Sequence, residues 1–229
     1  MRYLVGNWKS NKTFDEAQAW FNEIPEAIIP TDTEVVICPP YPYLVTLAND
    51  GRRTTSLKLG VQDVSQFPYG AYTGAVAVEM VKEWADYAIL GHSERRKYFH
   101  ETHQEVANKV DRCIEAGLTP IVCVDEDYIN QQIAAIQDEH MKKIIVAYEP
   151  LSAIGSGDPD TPEHAVQVAR AIKDKAEFDV PVLYGGSVKP GNIQSFLQHS
   201  EISGALVGGA SLNAQSWKDL LNACEKNSL

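Results

Sequence analysis

Eight short apolar runs recur along the chain, and stretches with helical periodicity separate most of them. Most of the runs are continuously apolar, which is typical of parallel strands covered on both faces. The runs are YLVGNWK (3–9), EVVICPP (34–40), LKLGVQD (57–63), YAILGHS (87–93), TPIVCVDE (119–126), KIIVAYEP (143–150), PVLYGGS (181–187) and GALVGGAS (204–211). This alternation predicts an α/β fold built as a closed (β/α)8 barrel, with an open doubly wound sheet as the alternative.

Helix start and stop signals lie between these runs. Residues 102–116 begin with a capping-box pattern, Thr102 with Glu105, and Gly117 follows the end of the helical pattern. Thr13 with Glu16 repeats this start, and Thr161-Pro162 places a proline at the first turn of a further helix. The segments after the second and seventh runs carry weaker helical signals.

Length and linkers indicate how the chain is divided. No Gly/Ser-rich linker interrupts the 229 residues, so we predict one domain over 1–229. This is short for a barrel of about 250 residues, so some helices must be brief. Only 127–142 connects the fifth and sixth runs, which predicts a shortened segment there.

Composition narrows the class of protein and of partner. The chain has 44% hydrophobic and 22% charged residues, as globular proteins do. A net charge of −11 argues against nucleic acid or an anionic membrane as the partner, but not against a small anionic ligand. The four cysteines form no metal-binding or CxxC pattern, and no signal-peptide or membrane-length apolar run occurs. We therefore expect a reduced, cytoplasmic protein with no metal and no cofactor.

Polar or glycine residues follow the predicted strands where a barrel of this type carries its chemistry. Candidates are Asn7 and Lys9 after the first strand, His92 after the fourth and Glu149 after the sixth. Glycine pairs at 185–186 and 208–209 could hold a phosphate with main-chain N–H groups. A lysine, a histidine and a carboxylate at one mouth suit proton transfer beside a carbonyl on a small phosphorylated sugar. Each residue alone could be structural, and their convergence carries the prediction.

Six stretches together resemble the triosephosphate isomerase family over nearly the whole chain. They are GNWKSN (6–11), GAYTG (70–74), ILGHSERR (89–96), AYEPLSAIGSG (147–157), LYGGSV (183–188) and ALVGGASL (205–212). The resemblance implies a TIM barrel that interconverts dihydroxyacetone phosphate and glyceraldehyde 3-phosphate through an enediolate. Enzymes of this family are a well-known example of catalysis by a neutral histidine under a closing loop. For this chain, both features are expectations that rest on the resemblance.

The resemblance also implies roles for individual residues. Glu149 would be the base, His92 a neutral electrophile, and Lys9 and Asn7 would stabilise and place the developing negative charge. Ser93 and Glu94 would support Glu149 and Lys9. The residues implied to hold the phosphate through main-chain N–H groups are Gly155, Ser187, Gly208 and Gly209.

The segment between Pro150 and Pro159 resembles the family's lid, and the 64–74 segment its dimer loop. The lid residues would be Ala153, Ile154, Gly155, Ser156 and Gly157, with Ile154 and Leu206 covering the base and Tyr184 and Ser187 holding the closed lid. The family forms homodimers, so we expect Thr73 to reach Asn7 of a second copy.

Several positions depart from the family pattern. The first hinge reads Pro150-Leu151-Ser152, whereas the family pattern has a tryptophan at the third position. In the family a glutamate after the fifth strand contacts that tryptophan, and Glu126 is its match here. The second hinge reads Asp158-Pro159-Asp160, and these changes predict altered lid kinetics with the chemistry intact. Asp125 replaces a glycine, and Ala75 replaces a glutamate expected to pair with Arg95 between subunits.

Two other functions remain open from the sequence. One is an inactive barrel that keeps the phosphate cradle as a binding or structural protein, although such a protein would not need Lys9, His92 and Glu149 together. The other is a different barrel isomerase or lyase that acts on a phosphorylated sugar; the lid sequence and HSERR argue against it.

Overall fold

The computed structural model describes residues 1–49, 57–153 and 158–225 and confirms the predicted barrel. Eight parallel strands pair in chain order and close with β1 beside β8. Each predicted run overlaps one strand. The strands are β1 (Arg2–Asn7), β2 (Thr33–Cys38), β3 (Leu57–Val61), β4 (Tyr87–Leu90), β5 (Thr119–Val124), β6 (Ile145–Tyr148), β7 (Val182–Tyr184) and β8 (Gly204–Val207).

Closure of the barrel depends on a glycine in β8. Tyr3 pairs with Gly204, and a Cβ added at Gly204 would lie 2.0 Å from the main-chain oxygen of Tyr3. Two strands can approach this closely only where one carries no side chain. The open-sheet alternative is therefore wrong, since β8 joins both β7 and β1.

Helices follow most strands, as the sequence predicts. They are α1 (Phe14–Asn22), α2 (Tyr41–Asn49), α3 (Ser93–Phe99), α4 (His103–Ala116), α5 (Ile129–Ala135), α6 (Pro162–Ala176), α7 (Ile193–Leu197) and α8 (Ala214–Glu225). The predicted capping boxes at Thr13 and Thr102 are both formed, and Gly117 ends α4 in the left-handed conformation. Thr161 caps α6 with the proline at its first turn.

The connections between strands differ in helical content. The β5–β6 connection is shortened as predicted, since it holds only the seven-residue α5 and a 3₁₀ segment, Asp138–Lys143. Within the described residues, the β3–β4 connection has a single 3₁₀ turn, Val78–Met80, instead of an α-helix. The helices after β2 and β7, which had the weaker signals, are α2 and the five-residue α7.

Apolar side chains form two layers, one inside the barrel and one between the strands and the helices. The four cysteines are reduced and buried in these layers. Cys38 and Cys123 lie inside the barrel, whereas Cys113 and Cys224 lie under α4 and α8. Burial raises the pKa of the thiols of Cys113 and Cys224 to about 12.

A helix that crosses a bilayer needs about 20 mostly apolar residues. In the part of the chain that the structure describes, no helix combines the length and the apolar character needed to cross a bilayer.

Candidate active site

The end of β1 places Asn7 and Lys9 at the mouth of the barrel. Asn7 is 5% exposed, and its Oδ1 accepts the Lys9 N–H at 3.0 Å. Lys9 has a φ of 52°, in the left-handed region that non-glycine residues rarely adopt. The Lys9 carbonyl accepts a hydrogen bond from Gln62 Nε2 at 2.9 Å, and the same group donates to Cys38 O at 2.9 Å. These hydrogen bonds hold a strained backbone, as is common at functional sites.

The side chain of Lys9 lies between two other predicted site residues. Its Nζ donates to Glu94 Oε1 at 2.6 Å. On the other side, a Cβ added at Gly208 would lie 3.4 Å from Lys9 Cε, which is ordinary van der Waals contact and places the lysine beside this turn. The side chain of Lys9 is 26% exposed, so it remains accessible from the mouth of the barrel.

His92 follows β4 and caps α3. Its Nδ1 accepts the Glu94 N–H at 3.2 Å, and its Nε2 lies 2.9 Å from Glu149 Oε1. A ring nitrogen that accepts an N–H cannot itself carry hydrogen, so the proton of the ring lies on Nε2. His92 therefore presents an N–H donor at the barrel mouth.

Glu149 directly follows β6, and its side chain is 1% exposed. The Ser93 N–H donates to Oε2 at 2.8 Å, and the Ser93 hydroxyl lies 3.4 Å from Oε1. Both carboxylate oxygens thus have donors from the segment that begins α3. In this conformation the carboxylate contacts His92 and Ser93 and does not line the cavity that Lys9 shares with the Gly208-Gly209 turn.

The turn after β8 provides main-chain N–H groups. Gly209 begins a 3₁₀ turn, Gly209–Ser211, directly after Gly208. Ser211 is fully buried, and both its hydroxyl and its N–H donate to the Gly208 carbonyl, at 2.7 and 2.9 Å. On the β7 side, Asn192 Nδ2 donates to the Ser187 carbonyl at 2.9 Å. Both turns are therefore anchored through their carbonyl oxygens.

A cavity of about 410 Å³ connects the strand ends. Six of the predicted site residues line this cavity: Asn7, Lys9, His92, Ser187, Gly208 and Gly209. Its described lining is Asn7, Lys9, His92, Gly185, Gly186, Ser187, Val188, Lys189, Leu206, Gly208, Gly209, Ala210, Asn213 and Ser216. Ser93 and Glu94 line a neighbouring depression together with Lys9. Within the described ranges, no group of three or more potential metal ligands was found.

Only the first of the predicted lid residues is described. Ala153 is buried, and its N–H donates to the Pro150 carbonyl at 2.8 Å, which forms a turn after β6. Leu151 within this turn is exposed. Ile154, Gly155, Ser156 and Gly157 lie outside the described residues.

The second hinge is joined to the barrel through Asp160. Its N–H donates to Tyr184 Oη at 2.9 Å, and its carboxylate accepts from Tyr148 Oη at 3.1 Å. His164 Nδ1 lies 2.8 Å from Asp160 Oδ2, and Nε2 lies 3.5 Å from Glu126 Oε2. The hydrogen bond to Asp160 is the largest cause of a raised pKa at His164. Glu126 therefore contacts Tyr148 and His164 in this chain.

The 64–74 segment exposes Thr73 and three aromatic rings, Phe67, Tyr69 and Tyr72, of which Phe67 and Tyr72 stack with their centroids 4.3 Å apart. Arg95 pairs within the chain, with Asp63 at 2.8 Å and Glu101 at 3.3 Å.

A family model described as triosephosphate isomerase matches residues 2–224. The chain belongs to the triosephosphate isomerase family. The triosephosphate isomerase of Mesomycoplasma hyorhinis is 39% identical over 238 residues, which cover 95% of this chain and 96% of that protein. That of Alkaliphilus metalliredigens is 39% identical over 243 residues (96% and 98%), and that of Thermus thermophilus 37% over 242 (95% and 96%). Membership of the triosephosphate isomerase family confirms the predicted enzyme class, an isomerase.

Four further residues support this site, and the sequence alone assigned none of them a role in it. Gln62 and Ser211 hold main-chain carbonyls, and Arg96 pairs with Asp125 beside Glu149. These residues contact main-chain atoms or side chains that are distant in the chain. Such contacts cannot be predicted from residue spacing. For Ser211, its position two residues after Gly209 was an available signal.

Proposed function

We propose that the chain interconverts dihydroxyacetone phosphate and D-glyceraldehyde 3-phosphate through an enediolate. The observation that carries the proposal is the 2.9 Å contact between His92 Nε2 and Glu149 Oε1 beside a cavity that Lys9 also lines. A carboxylate, an N–H donor and an ammonium group are the set that moves a proton between carbons next to a carbonyl.

Glu149 is the proposed base. It takes a proton from one carbon of the substrate and returns it to the neighbouring carbon. To do so, the carboxylate leaves Ser93 and turns toward the cavity. Its hydrogen-bonding partners are His92 and Ser93, so this turn requires the exchange of these hydrogen bonds.

His92 and Lys9 are the proposed stabilisers of the developing charge. With Nδ1 occupied by the Glu94 N–H, Nε2 is the position from which His92 donates to the substrate oxygens. Lys9 supplies a positive charge close to the same space, and its 2.6 Å contact with Glu94 and the Asn7 hydrogen bond to its N–H hold it there.

The phosphate is proposed to lie against main-chain N–H groups of Ser187, Gly208 and Gly209, with Gly155 joining from the lid. Residues 153–157 would cover the bound substrate and exclude water from the enediolate, which otherwise loses phosphate. The anchored carbonyls of Gly208 and Ser187 support this assignment, since they fix the two turns that line the cavity.

The wider setting is also part of the proposal. The chain would work as a single domain over 1–229, in the cytoplasm, in glycolysis and gluconeogenesis, and without a cofactor. It would form a homodimer in which Thr73 reaches Asn7 of the second copy. Exposure of Phe67, Tyr69 and Tyr72 beside Thr73 supports such a contact. Sedimentation that shows only a 25.3 kDa species at micromolar concentration would exclude the dimer.

The proposal is tested by a coupled assay of glyceraldehyde 3-phosphate conversion. We expect turnover in the wild type and a loss of about 10²-fold or more in Glu149→Asp, because the shorter carboxylate no longer reaches the substrate carbon. Glu163→Asp is the matched control, since Glu163 is exposed on α6 and should keep full activity.

The burial of Glu149 away from the cavity favours one alternative, a phosphate-binding barrel without turnover. Calorimetry with inorganic phosphate separates the two functions. A folded wild type that binds phosphate but converts no substrate would establish the alternative, whereas turnover that depends on Glu149 would exclude it.

A further inference from the structure

A buried arginine lies beside the proposed base. The side chain of Arg96 is 6% exposed, and its Nη1 is 3.8 Å from Glu149 Oε2. This separation is too long for a hydrogen bond but short enough for a strong attraction between buried charges. Nη1 donates instead to the main-chain carbonyls of Gly91 and Cys123.

Asp125 holds the other end of the same guanidinium. Its Oδ2 lies 2.6 Å from Arg96 Nη2, and its side chain is 5% exposed. Its Oδ1 accepts the N–H groups of Asp127 and Tyr128, at 3.1 and 3.2 Å, just before α5. The Tyr128 ring lies 4.5 Å from the guanidinium carbon. Both oxygens of Asp125 are therefore held in place.

We propose that Asp125 is a positioning residue for the reaction, because its pairing with Arg96 keeps the buried guanidinium compensated when Glu149 leaves it and so allows that carboxylate to reach the substrate. This inference rests on the proposed role of Glu149 as the base.

The reason is the cost of leaving a buried charge without a partner. Among the residues that the structure describes, Asp125 and Glu149 are the carboxylates within 4.0 Å of Arg96. Without Asp125, each departure of Glu149 toward the substrate would leave the guanidinium buried and unpaired, which is strongly unfavourable. With Asp125 in place, Arg96 stays compensated wherever Glu149 lies.

The first test replaces Asp125 with asparagine. Asparagine keeps an oxygen for the N–H groups before α5 but removes the charge that faces Arg96. We expect kcat to fall about tenfold with KM within about twofold, because an interaction that matters only when Glu149 moves is lost. Asp127→Asn is the matched control, since Asp127 is exposed on the same loop and should change neither constant. An unchanged kcat in Asp125→Asn overturns the inference.

A double-mutant cycle tests whether Asp125 acts through Arg96. In an Arg96→Gln background no buried guanidinium remains for Asp125 to compensate, so Asp125→Asn should lower kcat further by less than about twofold. If the same tenfold loss appears in both backgrounds, Asp125 acts by another route and the inference fails.

Crystal structures give a readout that does not depend on turnover. In Asp125→Asn we expect the distance from Arg96 Nη1 to Glu149 Oε2 to close from 3.8 Å to below about 3.2 Å, and in Asp127→Asn to stay unchanged. An open distance in Asp125→Asn overturns the inference. If the distance closes but the wild type shows no isomerase activity, the proposed function fails while the role of Asp125 at the ion pair stands. If Asp125→Asn does not fold, Asp125→Gly, the residue the family pattern has, is measured in the same way.

Discussion

Replacing Ser211 with alanine removes a buried hydroxyl that holds the turn after β8. The hydroxyl donates to the Gly208 carbonyl at 2.7 Å, and the side chain has no exposed surface. The same carbonyl keeps the Ser211 N–H at 2.9 Å, so it is not left without a donor in the variant. The expected effect is therefore a looser turn and not an unfolded one.

The size of this effect follows from one neutral hydrogen bond. Its loss costs about 1 kcal/mol. If all of this free energy is lost from substrate binding by the Gly208 and Gly209 N–H groups, KM for glyceraldehyde 3-phosphate rises about fivefold. The proton transfer at Glu149 is not touched, so kcat should stay within about twofold of the wild type.

The assay is steady-state kinetics with inorganic phosphate as a competing ligand, and its inhibition constant should rise in step with KM. Tyr87→Phe is the control, because it removes a hydrogen bond to Glu34 at the start of β4, at the opposite end of the barrel from the site. An unchanged KM and phosphate inhibition in Ser211→Ala, with reduced thermal stability alone, would show that Ser211 does not position the turn.

Three further changes test local parts of the fold. The hydrogen bond to Asp160 raises the pKa of His164, so stability from the protonated ring is complete below about pH 6.5 and disappears as pH rises through the raised value. We expect His164→Gln to unfold more easily than wild type at acidic pH, by under about 1 kcal/mol because the side chain is 40% exposed, and the difference to vanish at alkaline pH. Thr102→Ala removes the capping box of α4 and should lower the free energy of unfolding in urea by about 1 kcal/mol. Gly204→Ala should prevent folding, as circular dichroism would show, whereas Gly191→Ala, whose Cβ meets no atom within 4 Å, should fold normally.

Each of these expectations has an opposing outcome. A stability difference for His164→Gln that grows toward alkaline pH would contradict the assigned cause of its raised pKa. An unfolding curve of Thr102→Ala that overlays the wild type would mean that α4 is held by packing alone. A folded Gly204→Ala protein would show that β1 and β8 can separate without loss of the barrel.

The fold could be predicted from the sequence because its signals are local. Continuous apolar runs predict strands that are buried on both faces, and the caps at Thr13, Thr102 and Thr161 mark the starts of helices. The β3–β4 connection could not be predicted in the same way. A single 3₁₀ turn at Val78–Met80 has too few residues to show a helical period.

The candidate site could be predicted in part, for a topological reason. In a parallel barrel every strand ends at the same mouth, so residues such as Lys9 and His92, far apart in the chain, had to lie near each other. Their fine geometry depends on side-chain direction. The orientation of Glu149 toward Ser93, away from the cavity, follows from hydrogen bonds that no spacing encodes.

The reactivity of the four buried thiols measures local opening of the folded chain. A thiol reagent attacks the thiolate, and burial raises the pKa of all four cysteines. Labelling must therefore wait for each site to open. Cys38 and Cys123 would time the separation of barrel strands, whereas Cys113 and Cys224 would time the lifting of α4 and α8. The labelling rates of the four thiols would thus give the free energy of local opening at four places in the barrel, without any introduced cysteine.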